Sequence, residues 1–165
     1  MKIVAPTLET KRLELLDIED KDTSEIVKWR SNPDVYKFFL SQHPLTRDEH
    51  LNWYNGSYIY NNNRFDWMAR ERDTHKSVGV FGVKRESEQS KTAEVSYILA
   101  PEHQGKGYAS EAVLRTIQFA KEYWHCDKVI AEIHQKNEMS ISLAKRLGFT
   151  YVRNVGEFCV YERNI

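Results

Sequence analysis

Apolar and polar positions change period several times along the chain, and each change marks an element. "KRLELLDI" alternates, putting Leu13 and Leu15 on one face, and reads as a first strand. "DKDTSEIVKWR" moves to helical spacing, with Ile26, Val27 and Trp29 as the inner face. Pro33 is expected to stop that helix, because the residue before a proline is pushed out of the helical region. In "TRDEHLNWY", Thr46 and Glu49 have the spacing of a capping box, so a second helix is expected to start there. "RFDWMARE" and "SVGVFGVKRE" read as antiparallel strands joined by a polar turn from Asp73 to Lys76, and the charged loop "RESEQSKTA" leads into a third, "EVSYIL".

From Val95 onward the order becomes strand, loop, helix, strand, helix, strand. A helix from about Ala109 to Tyr123 brings Val113, Ile117, Ala120 and Trp124 towards one face. "KVIAEI" follows it, and a helix of that length serves as a crossover, so the strands before and after it are expected to be parallel neighbours. A helix from Glu138 to Leu147 is expected to be capped by Gly148, and "TYVRNV" and "FCVYER" to form a closing hairpin around Gly156. The fold class expected is α/β of the α+β kind: a mixed, mostly antiparallel sheet with one central parallel pair and about four helices.

Composition narrows this picture. With 165 residues and 41% hydrophobic content, the chain can bury one sizeable core and is too short for two ordinary domains, so one domain over 1–165 is expected. Lys plus Arg equals Asp plus Glu at 24 each, which argues against a nucleic-acid or anionic-membrane partner. The apolar runs are short, and "MKIVAPTLETKRL" lacks the apolar core of a signal peptide, so a cytoplasmic location is expected. Cys126 and Cys159 carry no metal-like spacing and the six histidines form no H-x-x-x-H pattern, so no metal is expected.

The chemistry concentrates in "APEHQGKGYASEA", where two glycines flank a lysine between a strand and a helix. Unpaired N–H groups at a helix start lie at the positive end of its dipole and accept anions. The loop is no Walker motif, and "GKGYAS" departs from a dinucleotide fingerprint, with Ser110 at the third glycine and Ala100 to Gln104 intervening after the strand. What fits is Q-x-x-G-x-A, Gln104 to Ala109.

That pattern resembles the pyrophosphate loop of the GNAT superfamily of acetyl-CoA-dependent N-acetyltransferases, and "ILAPEHQGKGYASEA" has the strand, proline and helix start in register. A second block, "NEMSISLAKRLGF", is similar to the family's next motif, N-x-x-S followed by a helix ending in L-G-F. "LETKRLELLDIEDKD" resembles the opening of the subgroup that includes ribosomal-protein N-terminal acetyltransferases.

The resemblance implies acetyl-CoA as donor and no metal. It implies that Gln104 and the amides of Gly105, Lys106, Gly107, Tyr108, Ala109 and Ser110 cradle the pyrophosphate, and that Ile98 and Leu99 pair with the pantetheine arm. It places Asn137 beside that arm and Ser140 near the sulfur, although a helix N-cap and its first turn explain both residues as well. Many members carry a tyrosine acid three residues before the leucine of L-G-F; this chain has Ala144 there, which leaves Ser140 or water. Glu94 is the only acid within its strand and the first candidate for general base, with Glu132 and His134 as alternatives.

"KWRSNPDVYKFFLSQHPLTRDEHLNWY" is strongly aromatic, and its W-R-x-x-P-x-V and E-H-x-x-W patterns resemble amino-sugar acetyltransferases of nonulosonic-acid biosynthesis. Trp29, Arg30, His50 and Trp53 are therefore the candidate acceptor contacts, with core packing as the alternative for the aromatics. The expected partner is an amine acceptor: a nucleotide-linked amino sugar first, a protein or peptide N-terminus or a polyamine otherwise, with a homodimer as candidate assembly. An acetyl-CoA-binding sensor and a dinucleotide module stay open outside enzymology.

Overall fold

The computed structural model describes residues 2–165. Eight strands form one sheet in the order β1-β2-β3-β4-β5-β6-β8-β7: β1 (Leu8–Glu9), β2 (Leu13–Asp17), β3 (Arg64–Glu71), β4 (Ser77–Lys84), β5 (Thr92–Leu99), β6 (Lys128–His134), β7 (Thr150–Val155) and β8 (Phe158–Asn164). Five helices accompany it: α1 (Thr23–Arg30), α2 (Pro33–Tyr36), α3 (Arg47–Gly56), α4 (Tyr108–Tyr123) and α5 (Glu138–Arg146). Among the described residues only β5 and β6 pair in parallel, and α4 connects them.

Two apolar clusters are separated by the sheet's two-residue alternation. On β3, Phe65, Trp67 and Ala69 enter the larger cluster with Val113, Ile117, Phe119 and Ala120 of α4, while Met68 joins the smaller one with Ile26 and Trp29 of α1. Leu13 and Leu15 are both fully buried, as their alternation predicts. Val113, Ile117, Ala120 and Trp124 are all buried in the larger cluster.

The expected helices form, with one addition. Pro33 ends α1 but also opens α2, a single turn whose N-cap Asn32 accepts a hydrogen bond from the Asp34 N–H at 2.9 Å. Thr46 caps α3 by accepting from the Glu49 N–H at 3.2 Å. Gly148, at φ +85°, ends α5 in a left-handed cap: its N–H donates to the Lys145 carbonyl at 3.1 Å and the Phe149 N–H donates to that of Ala144 at 2.9 Å.

The feature that positions the site is a split in the sheet. β5 keeps β4 as a partner from Glu94 to Leu99, but pairs with β6 only from Thr92↔Lys128 to Glu94↔Ile130. Beyond that point β6 follows β8 as far as His134↔Phe158. The β5 edge from Val95 onward is left without a strand partner on that side.

Candidate active site

A cleft of about 1160 Å³ opens at this split. It takes in Glu94, Ile98, Leu99, Gln104, Gly105, Gly107, Tyr108, Ala109, Ser110, Asn137 and Ser140, residues from four separate elements or loops. Lys106, Trp29, Arg30, His50 and Trp53 are not part of its lining.

One lip is the loop before α4. Gly105 and Gly107 have φ of +78° and +81°, a region that L side chains adopt only under strain. Gly107 is the N-cap of α4 and no side chain caps that helix, so the first-turn amides are left for an anion. Tyr108 contributes its backbone there, because its buried phenol turns away and donates to Glu71 Oε2 at 2.6 Å. The Lys106 ammonium lies 3.3 Å from His103 Nδ1.

The loop is braced from behind by Arg12, which sits between β1 and β2. Its Nη1 donates to the Lys106 carbonyl at 2.8 Å, and its Nε to Glu111 Oε1 at 2.9 Å. Its backbone N–H and the Thr10 hydroxyl donate to Glu111 Oε2. Partial burial pushes the Glu111 carboxyl up, but the hydrogen bonds from Thr10 and Arg12 outweigh it and hold the group below its usual value. Nothing in the loop's own residues announces this brace, since Arg12 and Glu111 are almost a hundred positions apart.

On the facing lip, Asn137 caps α5 by accepting the Ser140 N–H at 3.2 Å. Ser140 Oγ lies 3.0 Å from the Tyr97 hydroxyl, which reaches across from β5 with its ring stacked on Phe81 at 5.7 Å. Burial raises the Tyr97 phenol above its ordinary pKa, against a smaller opposing contribution from Ser140. Tyr97 was not legible as a site residue, because Ser140 is 43 positions away. Ala144, one turn beyond Ser140, carries no hydroxyl.

The acids differ in depth. Glu94 Oε2 is 2.8 Å from the Lys84 ammonium, leaving only its other oxygen for a substrate. Asp66 Oδ2 is likewise held by Arg64 Nε at 2.8 Å. Glu132 is exposed on the lining. His134 is buried; its Nδ1 accepts the Lys136 N–H at 3.1 Å, so in the neutral ring the proton resides on Nε2, which faces Glu157 at 3.6 Å.

The four candidate acceptor contacts gather one layer behind the wall. Trp29 is 2% exposed in the smaller core cluster, and His50 packs on Trp53 with ring centroids 5.5 Å apart. They meet the cleft through Phe39, which belongs to the same aromatic segment, and Arg64, which lies outside it. Arg30 lies over the Phe39 ring at 4.4 Å, Arg64 lies over Trp53 at 4.8 Å, and Phe39 and Arg64 line the cleft. Burial lowers the pKa of Arg30, with repulsion from Arg64 adding to it; burial and then Arg30 lower that of His50.

The sheet thus splits at the β5–β6 parallel pair, with a helix start that no side chain caps on one lip and a hydroxyl pair on the other. Residues 12–150 match the family described as the acetyltransferase (GNAT) domain, and the chain belongs to that family and is an acetyltransferase. It is 30% identical over 148 residues to the uncharacterized N-acetyltransferase p20 of Bacillus licheniformis, covering 87% of this chain and 82% of that protein. Among solved structures it superposes on a domain from Methanocaldococcus jannaschii with a TM-score of 0.82 at 28% identity, covering 95% of this chain and 100% of that one. A spermidine N-acetyltransferase from Vibrio cholerae, solved with CoA and spermine, shares the fold with a TM-score of 0.82 at 21% identity, covering 93% and 95% of the two chains. Among the described residues no helix is long and apolar enough to cross a membrane.

Proposed function

We propose that this enzyme transfers the acetyl group of acetyl-CoA to the primary amine of a small metabolite, with a nucleotide-linked amino sugar as the first acceptor to try. The observation that carries the donor is the loop geometry: two glycines with positive φ and a 16-residue helix, uncapped by any side chain, whose first residues line the cleft. In this reading Gln104 and the amides of Gly105 to Ser110 hold the pyrophosphate, and the free edge of β5 at Ile98 and Leu99 pairs with the pantetheine arm. Asn137 caps α5 with its side-chain oxygen and keeps its amide nitrogen for the same arm. Acetyl-CoA supplies an acetyl group already activated as a thioester. The chain orients it, and Glu94 takes the ammonium proton, directly or through water, with Lys84 holding its second oxygen.

Charge pairing supports a small acceptor that is not a polycation. Glu94 and Asp66 are paired with Lys84 and Arg64, so the two acids nearest the β3–β5 wall are already compensated, although Glu132 and Glu138 elsewhere on the lining carry no ion pair among the described residues. Phe38 and Phe39 provide apolar faces and Arg64 a guanidinium suited to phosphate. Release of free CoA should be measured with a UDP-linked 4-amino sugar, spermidine and short peptides beginning with Ala or Ser. The reading expects the largest kcat/KM for the amino sugar and its loss by about tenfold or more in Arg64→Met. Faster transfer to peptides or spermidine, unaffected by Arg64→Met, overturns the acceptor. Absence of both turnover and an acetyl-CoA-dependent rise in melting temperature overturns the donor as well.

A further inference from the structure

The Tyr97–Ser140 hydroxyl pair is unusual because its members come from opposite lips of the split, β5 and α5, and both line the cleft. One of the two must donate. Either hydroxyl can be the donor; a phenol is the stronger acid of the two, which favours Tyr97 donating and Ser140 Oγ accepting. The phenol is protonated through the neutral range, and burial raises its pKa further, so its hydrogen is available to donate.

This assignment decides where the serine's own hydrogen goes. Ser140's backbone N–H is already given to Asn137 Oδ1, and its Oγ has no other hydrogen-bond partner among the described residues. A helical serine commonly turns its hydroxyl back to a carbonyl of the preceding turn, and no such bond forms here. With Tyr97 as donor, the serine O–H has no partner among the described residues and is free to reach into the cleft that Ser140 lines, and accepting a hydrogen bond makes it a better donor. Tyr97 is itself held by its stack on Phe81, with an interplanar angle of 12°.

We propose that Tyr97 is the positioning residue that aims the Ser140 hydroxyl at the sulfur of the departing thiolate. The inference rests on the acetyl-CoA reading above. In the step it serves, the amine nitrogen bonds to the acetyl carbon, the carbon–sulfur bond breaks and its electron pair stays on sulfur. Ser140 donates a hydrogen bond to that sulfur without giving up its proton, Tyr97 donates to Ser140, and the thiolate later takes a proton from water. The ammonium proton leaves through Glu94 or solvent.

Tyr97→Phe keeps the ring and removes only the hydroxyl. The expected result is a fall in kcat of about tenfold, with KM for acetyl-CoA and the acetyl-CoA melting shift changed by less than about twofold. Ser140→Ala should lose at least as much, and the double variant no more than Ser140→Ala alone, since the two hydroxyls act as one unit. A structural role would not move a further readout, the pH at which the thiol of bound CoA ionises, followed by its ultraviolet absorbance. That midpoint should lie below the value for free CoA in the wild type and rise in Tyr97→Phe and Ser140→Ala. Wild-type kcat in Tyr97→Phe, additive losses, or a thiol midpoint unmoved by either substitution overturns the proposal. Should Tyr97→Phe fail to fold, a thiol midpoint unmoved in Ser140→Ala still overturns the proposal. If wild-type protein neither binds nor turns over acetyl-CoA, the underlying reading fails rather than this refinement.

Discussion

The two ends of the cleft are built on different principles. The end proposed for the cofactor is made of contiguous chain: a strand edge, a loop and a helix start follow one another from Val95 to Ala112, and the working groups are backbone amides exposed by glycines. The end proposed for the acceptor is made of side chains drawn from far apart, with Phe39 after α2, Arg64 on β3, Lys84 on β4 and Glu94 on β5. Backbone recognition needs a local conformation, which short sequence patterns encode. Side-chain recognition needs a tertiary arrangement, which they do not.

The largest effect expected from testing this contrast concerns Trp29, a candidate acceptor contact that lies inside the smaller cluster with Ile26, Tyr58 and Met68. Trp29→Ala should reduce stability by about 3–5 kcal/mol in denaturant unfolding. Under conditions where the variant is still folded, KM for the acceptor should stay within about twofold of wild type. A large rise in KM with little loss of stability would return Trp29 to the acceptor site and erase the layer drawn between wall and support.

A smaller but sharper effect is expected at Gly107. Valine at φ +81° is strained, and its added carbon would lie 3.2 Å from Arg12 Nη2 as well as crowding the approach to the amides. Gly107→Val should weaken acetyl-CoA binding by about 100-fold or more, read as loss of the melting shift. An undiminished shift would show that the donor is not held by this loop.

The same contrast explains what was legible before the structure. The alternation around Leu13 and Leu15, the Thr46 cap, the α4 stripe and the Gly148 cap are local signals, and each element formed where its pattern lay. The turn α2 was missed because Pro33 both stops one helix and starts another, and only Asn32's side chain, read with it, tells the two apart. Arg30, His50 and Trp53 were found as a group because they share a sequence segment, which also holds the cleft residue Phe39, whereas Arg64, the cleft residue over Trp53, lies outside it on β3. Tyr97 and Arg12 were invisible for the same reason: each acts on a partner from another element, and spacing in sequence carries no trace of the contact.

The smallest expected effect concerns the one place where the cofactor end depends on distant side chains, the Arg12–Glu111 brace. The folded Glu111 carboxyl titrates below its ordinary value of 4.5, because the hydrogen bonds from Thr10 and Arg12 favour the charged form more than partial burial disfavours it. A group whose folded pKa is depressed contributes stability above its unfolded pKa and loses it as pH falls through the folded one. The brace is therefore intact at neutral pH and weakens only in acid. CoA's own phosphates also titrate in acid, so the useful quantity is the difference between wild type and Glu111→Gln, which cannot ionise. Wild type should bind acetyl-CoA about threefold more tightly at neutral pH, a margin typical of one partly exposed ion pair, and the gap should close as the pH falls through the depressed folded-state pKa of Glu111, below the ordinary carboxylate range. Binding curves for the two proteins that stay parallel down to the acid limit would mean that the loop holds its shape through its glycines alone, and would make the contrast between the two ends of the cleft complete.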